Sequence, residues 1–202
     1  MSRVEKTGTL IRGLDEVSTL LDVGCRDGIL RDHIPDHIDY SGADLFPIGD
    51  HVKYVGDFLT IGFDRKFDVV TAIDVLEHLD QPQQAFDKLV TLANRHLIVS
   101  LPNCYDLKSR YKFAVKGRLG GKYDFRDEEI LDRHRWVMSA EEISNFYLSK
   151  ARRHGLSLRV HGVRYGSGSR VSATAVLGRL ACTILPSSLG WHSVVGEFTV
   201  PL

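Results

Sequence analysis

Four aspartates stand where an apolar run gives way to a turn: Asp22, Asp44, Asp57 and Asp74. The first lies in Leu20-Leu21-Asp22-Val23-Gly24-Cys25-Arg26-Asp27-Gly28, an apolar strand running into a loop bounded by two glycines. Glycines at such a turn let the backbone pass close beneath a ligand, and the helix start expected after it offers unpaired N–H groups. Asp44 follows 22 positions after Asp22, a spacing that suits a carboxylate accepting both hydroxyls of a ribose. A carboxylate beside a pyrophosphate would be repulsive, so this set favours a ligand that carries a positive charge. His78 follows Asp74 closely and His134 lies further on. Either imidazole can take a proton near neutrality.

The elements that would hold these residues follow from apolar runs and periodicity. Residues 38–45, 52–55, 67–74 and 95–101 read as strands two to five, each bounded by turn or helix signals. Residues 82–93 carry Ala85, Phe86, Leu89, Val90 and Leu92 at helical spacing, and residues 156–164 and 191–200 read as late strands. Strands alternating with crossovers define an α/β, doubly wound sheet, in which ligands bind outside the carboxyl ends of the strands. All four aspartates converge there.

The loop around Gly24 and Gly28 resembles the first motif of class I S-adenosylmethionine-dependent methyltransferases, with Arg26 standing where that family usually has its middle glycine. If the position demands positive φ, Arg26 costs about 1 kcal/mol. The segment from Phe67 to Pro82, ending Asp74-Val75-Leu76-Glu77-His78-Leu79, also looks like this family, in which Glu-His-Leu opens the next helix. Ser100-Leu101-Pro102-Asn103 and His134-Arg135-Trp136 are similar to a subgroup acting on sugars, lipid-linked intermediates and other small metabolites. The resemblance implies a Rossmann-like seven-stranded sheet of order 3-2-1-4-5-7-6, with strand 7 antiparallel and a helical insertion after strand 5. It implies S-adenosylmethionine as cofactor, with binding residues Asp22, Gly24, Cys25, Arg26, Gly28, Asp44, Leu45, Asp57, Phe58, Ile73 and Asp74. Methyl transfer to a small polar acceptor, at oxygen, is the implied activity, with His78 and His134 as candidate bases. Two rivals stand beside it. A nicotinamide-dependent oxidoreductase is disfavoured by the missing third glycine, and a catalytically silent cofactor-binding or scaffold domain is kept open by Arg26.

The stretch from Asn103 to Trp136 is too long for a linker and is expected to form the acceptor side. Leu107, Tyr111, Val115 and Leu119 recur every four residues, beside Lys108, Lys112 and Lys116. This basic amphipathic helix reads as a packed edge helix, a lid hinged at Gly117, Gly120 and Gly121, or a contact with an anionic surface. Its acceptor includes phosphate-bearing molecules, since Lys and Arg hold phosphate oxygens. Glu77 beside His78 suggests a metal pair, but adjacent residues on a helix project in different directions and the spacing offers no third ligand. No metal is therefore expected.

The 202 residues suit one domain over 1–202 carrying an inserted segment at 103–136. Lys and Arg together equal Asp and Glu, 26 each, which argues against nucleic-acid binding through bulk charge. The N-terminus lacks a signal-peptide core, and Cys25, Cys104 and Cys182 lack metal-site spacing, so a cytoplasmic setting is expected. Residues 171–189 are apolar but too short and mixed for a membrane span, leaving a packed helix or peripheral attachment.

Overall fold

The computed structural model describes residues 1–125, 127–128, 132–164 and 186–201. Seven strands form one sheet in the order β3-β2-β1-β4-β5-β7-β6. They are β1 (Thr19–Val23), β2 (Asp39–Asp44), β3 (Val52–Val55), β4 (Phe67–Ile73), β5 (Ala93–Pro102), β6 (Ser157–Arg164) and β7 (Trp191–Thr199). Strands β1 to β5 pair in parallel, and β7 runs antiparallel to both β5 and β6. This is the order and the direction that the sequence resemblance implies.

The central strands are apolar at consecutive positions because both faces of the sheet are covered. Successive side chains point to opposite faces. Leu21, Val70 and Leu97 enter one cluster with Phe86, Leu89, Ile143 and Tyr147, which come from α2 (Pro82–Leu92) and α4 (Ala140–His154). Their neighbours Leu20, Val69 and Ile98 enter the other with Ile11 of α1 (Arg3–Arg12). The buried Tyr147 hydroxyl donates to the carbonyls of Val99 and Val194, tying α4 across the β5–β7 seam. Capping boxes at Ser2 with Glu5 and at Ser139 with Glu142 start α1 and α4.

Three local expectations differ from the structure. The loop after β1 leads into a 3-10 turn, Ile29–His33, in place of a full helix. Ile34 is extended and precedes Pro35, a position that disfavours helical backbone. Glu77 and His78 lie in another short 3-10 turn, Leu76–His78, and α2 begins afterwards with Pro82 in its first turn. The helix of the insertion, α3 (Leu107–Lys116), ends at Gly117 with φ +65, leaving Leu119 beyond it. It buries none of its residues, and Tyr111 and Phe113 are 70% and 56% exposed. A tightly packed edge helix is therefore not what forms. The apolar stretch 171–189 lies largely outside the described residues. No helix among the described residues is long and apolar enough to cross a membrane.

Candidate active site

Sheet order places the ends of β2, β1, β4 and β5 side by side, and the loop after β1 lies on the segment after β4. Gly24 has φ +69, and a Cβ there would come within 2.4 Å of Val75 Cγ2. Its N–H donates to the Ala43 carbonyl at 2.7 Å, so the loop also leans on β2. Gly28 has φ +72 and lies against the His51 ring. Both glycines are therefore required by backbone angle and by close approach.

Asp44 holds this loop. Its Oδ2 accepts from the Arg26 N–H at 2.9 Å, and its Oδ1 accepts from the Phe46 N–H at 3.2 Å. Arg26 adopts φ +48, in the left-handed region that favours glycine. Its guanidinium is exposed and reaches Asp132 of the insertion at 3.7 Å. Arg26→Gly relieves the left-handed penalty, so a thermal melt should show stabilisation of about 1 kcal/mol. S-adenosylhomocysteine affinity, measured by calorimetry, should hold or tighten in the same variant. A fall would mean that the guanidinium itself touches the ligand.

The other candidates divide into lining and supporting groups. Leu45 and Phe46 are half exposed next to Asp44, an apolar surface at the end of β2. Asp57 is exposed, with its Oδ1 accepting from the Leu59 N–H at 2.9 Å. Phe58 is buried against Phe63 and the Lys88 ammonium. Cys25 is buried, which pushes its thiol pKa up to about 12 and leaves it unreactive. Asp22 is buried beneath the loop, with its oxygens accepting from Tyr40 Oη and Thr71 Oγ1, each at 2.7 Å. Burial pushes its pKa up to about 6, against the pull of those two donors.

Past Ile73 the chain turns sharply. Asp74 adopts φ +54, its N–H donates to the Ser100 carbonyl and its Oδ1 accepts from Ser100 Oγ at 3.1 Å. Its Oδ2 pairs with the Arg3 guanidinium, which the start of α1 brings across the cleft. Arg3 carries no motif, and only its place beside a capping box hinted that its helix is held in one position.

Glu77, His78 and His134 meet next to this turn. The Glu77 side chain is 0% exposed, and neither of its carboxylate oxygens has a hydrogen-bond partner. His78 Nε2 and His134 Nε2 lie 3.8 and 3.9 Å from Glu77 Oε1. The two rings cross edge-to-face with centroids 4.6 Å apart. Each ring is held from behind at its other nitrogen: His78 Nδ1 donates to the Arg133 carbonyl at 3.1 Å, and His134 Nδ1 lies 2.8 Å from Tyr123 Oη. The Arg135 N–H donates to the Glu77 carbonyl, which seats the end of the insertion on this turn.

Burial holds the Glu77 carboxyl well above the usual carboxylate range, and the Asp74 charge adds to the effect. Burial, the neighbouring His78 and Lys122 push His134 down to about 4, and burial also lowers His78. Both imidazoles are therefore neutral at physiological pH. The sequence pattern pointed to each histidine separately. Their convergence on Glu77 was hidden because it depends on the insertion folding back onto β4.

The parallel sheet with its antiparallel seventh strand, the glycine-bounded loop and the strand-end aspartates define a class I, S-adenosylmethionine-dependent methyltransferase fold. The chain matches the methyltransferase domain family over residues 3–148 and belongs to it. S-adenosylmethionine is the methyl donor of that family. A crystal structure of the small RNA methyltransferase HEN1 is similar with a TM-score of 0.69 at 25% identity, covering 99% of this chain and 25% of that one. The chain thus spans a quarter of that protein's length. The methyltransferase domain of a bacterial Hen1 is similar at 20% identity with a TM-score of 0.63, covering 98% of this chain and 97% of that one. Magnesium protoporphyrin IX methyltransferase from Synechocystis PCC 6803, crystallised with S-adenosylhomocysteine, is similar at 16% identity with a TM-score of 0.60, over 98% of this chain and 82% of that one. No curated protein sequence matches the chain significantly.

Proposed function

We propose that the chain transfers a methyl group from S-adenosylmethionine to a hydroxyl of a polar acceptor held between the β4 turn and the insertion. The supporting observation is the Glu77, His78 and His134 cluster, a buried carboxylate with two neutral imidazoles beside the cofactor loop. An amine needs only to lose its proton to solvent and then be aligned, whereas a hydroxyl needs help in losing its proton as it attacks. Two imidazoles kept neutral by burial and converging next to the β4 turn suit the second demand. Methyl transfer from a sulfonium is an in-line displacement, so the remaining work is alignment and exclusion of water. In this reading Asp44 and Asp57 would hold the cofactor, the Leu45–Phe46 surface would carry its adenine, and the insertion would cover the acceptor.

The insertion separates two acceptor classes. A small sugar or lipid-linked intermediate, phosphate-bearing ones included, would be held by the Lys and Arg side chains of α3 and by Arg135. An RNA end is the second reading, favoured by α3, where exposed Tyr111 and Phe113 alternate with basic residues as in surfaces that stack bases and hold phosphates. Release of S-adenosylhomocysteine would be measured with sugars, sugar phosphates, short RNAs and primary amines. Turnover of a hydroxyl acceptor but not of the amines is expected. Turnover confined to the amines would overturn oxygen methylation, and turnover confined to RNA would replace the small acceptor.

A further inference from the structure

We infer that α3 docks on an anionic lipid surface, its apolar stripe entering the headgroup boundary and its lysines meeting the lipid phosphates. The docking rests on the helix itself; its use, to bring a lipid-linked acceptor to the cleft, rests on the methyl transfer proposed above.

The helices α1, α2 and α4 each bury residues against the sheet, whereas α3 buries none. Leu107, Tyr111, Ala114 and Val115 recur at helical spacing and form one stripe. All four are exposed, Leu107, Tyr111 and Val115 at 45%, 70% and 62%. An isolated helix shorter than about 12 residues is marginal in water, and nothing in the core holds this one. Its ends are nevertheless defined. Asp106 Oδ1 accepts from the Ser109 N–H at 2.6 Å, and Gly117 closes the last turn in the left-handed conformation. A capped helix with its apolar stripe turned outward is built for a second surface that covers the stripe.

Charge selects that surface. From Leu107 to Tyr123 the chain carries six basic residues, Lys108, Arg110, Lys112, Lys116, Arg118 and Lys122, and no acidic one, although its 26 basic and 26 acidic residues balance overall. Lys108 and Lys112 border the stripe on one side and Arg110 on the other. Two of the six have acidic neighbours, Lys122 at 2.8 Å from Asp132 and Arg118 at 4.0 Å from Asp124. Lys112 and Lys116 form no ion pair among the described residues. A second copy of the chain meeting this face would set lysine against lysine. A nucleic acid would use the cations with Tyr111 and Phe113 but leave Leu107, Ala114 and Val115 in water. A lipid surface answers both features, since the apolar side chains reach the acyl boundary while the lysine stems hold their ammonium groups at phosphate level.

The place of the helix suits an acceptor carried in the same surface. The chain enters α3 from the end of β5 and returns at Tyr123, whose hydroxyl lies 2.9 Å from Cys104 Sγ and 2.8 Å from His134 Nδ1. The docking helix and the imidazoles beside the cofactor loop are thereby joined through one short segment.

The test is cosedimentation of the full chain with vesicles, with neither methyl donor nor acceptor present. Phosphatidylcholine vesicles containing about one third phosphatidylglycerol should bind at least about tenfold more tightly than phosphatidylcholine alone, and the advantage should shrink between about 100 and about 500 mM NaCl. Lys112→Gln with Lys116→Gln should weaken anionic-vesicle binding about 30-fold, since each cation near such a surface contributes about fivefold. Tyr111→Gln with Val115→Gln should weaken it at least about tenfold, which charge attraction without insertion would not do. Both pairs lie on an exposed helix, so each variant should melt with the parent and bind S-adenosylhomocysteine as the parent does. No binding of the parent to anionic vesicles, or parental binding by Tyr111→Gln with Val115→Gln, would overturn the docking. Uptake of a short single-stranded RNA by the parent under conditions where vesicles are not bound would overturn it in favour of a nucleic acid. The vesicle result stands whether or not a hydroxyl acceptor turns over, so the docking and the proposed methyl transfer fail separately.

Discussion

Gly24→Ala weakens S-adenosylhomocysteine binding about 100-fold. The backbone at this position has φ +69, where an L side chain carries about 1 kcal/mol of strain. The added methyl would come within 2.4 Å of Val75 Cγ2, closer than carbon atoms approach one another. Overpacking of this kind costs about 1–3 kcal/mol when neighbours must move. Val75 joins Asp74 to Glu77, so its displacement disturbs both the strand-end aspartate and the histidine cluster. About 2.7 kcal/mol in total corresponds to the 100-fold loss. Calorimetric titration of the variant checks it, with a thermal melt to establish that the sheet is intact. Affinity within about threefold of the parent would mean that no ligand lies over this loop.

Removal of residues 107–121 should abolish methyl transfer while sparing the cofactor site. The helix α3 contributes no buried residue, so the deletion takes nothing from either core cluster. The flanking chain is already close together, since Cys104 Sγ and Tyr123 Oη are 2.9 Å apart, and a short join can replace the segment. Lys122 and its pairing with Asp132 are retained, as is the seat of Arg135 on Glu77. What is lost is the basic, aromatic surface proposed to hold the acceptor. A decrease of at least about 100-fold in kcat/KM is expected from lost positioning, with S-adenosylhomocysteine affinity changed by less than about threefold. Full turnover by the shortened chain would make α3 a bystander and move acceptor recognition to another part of the cleft.

The sheet was legible because its signal is local and strong. Runs such as Phe67–Ile73 and Leu97–Leu101 carry apolar residues at consecutive positions, as a strand covered on both faces requires, and the boundaries shift by one or two residues. The loop at Gly24 was legible for the same reason, since both of its glycines answer a local backbone demand. Residues whose roles depend on distant partners were not. Arg3 reads as one charge on a surface helix until α1 docks and brings it to Asp74. Asp22 also receives hydrogen bonds from Tyr40 and Thr71, from neighbouring strands, a structural role that its place in the motif did not reveal. Glu77 and His78 read as a poor metal pair on a helix. A 3-10 turn with different side-chain directions forms instead, and the third group arrives from the far end of the insertion. The periodicity of Leu107, Tyr111 and Val115 was real, but an apolar stripe does not say whether the molecule itself covers it, and these side chains are exposed.

The central claim is that the cleft at the ends of β1, β2 and β4 binds S-adenosylmethionine. The most direct measurement is calorimetric titration of the unmodified chain with S-adenosylhomocysteine and, separately, with NAD. Saturable one-site binding of S-adenosylhomocysteine in the micromolar range, with no heat from NAD, is the predicted result. Binding of NAD, or no binding of S-adenosylhomocysteine by the folded chain, would contradict it.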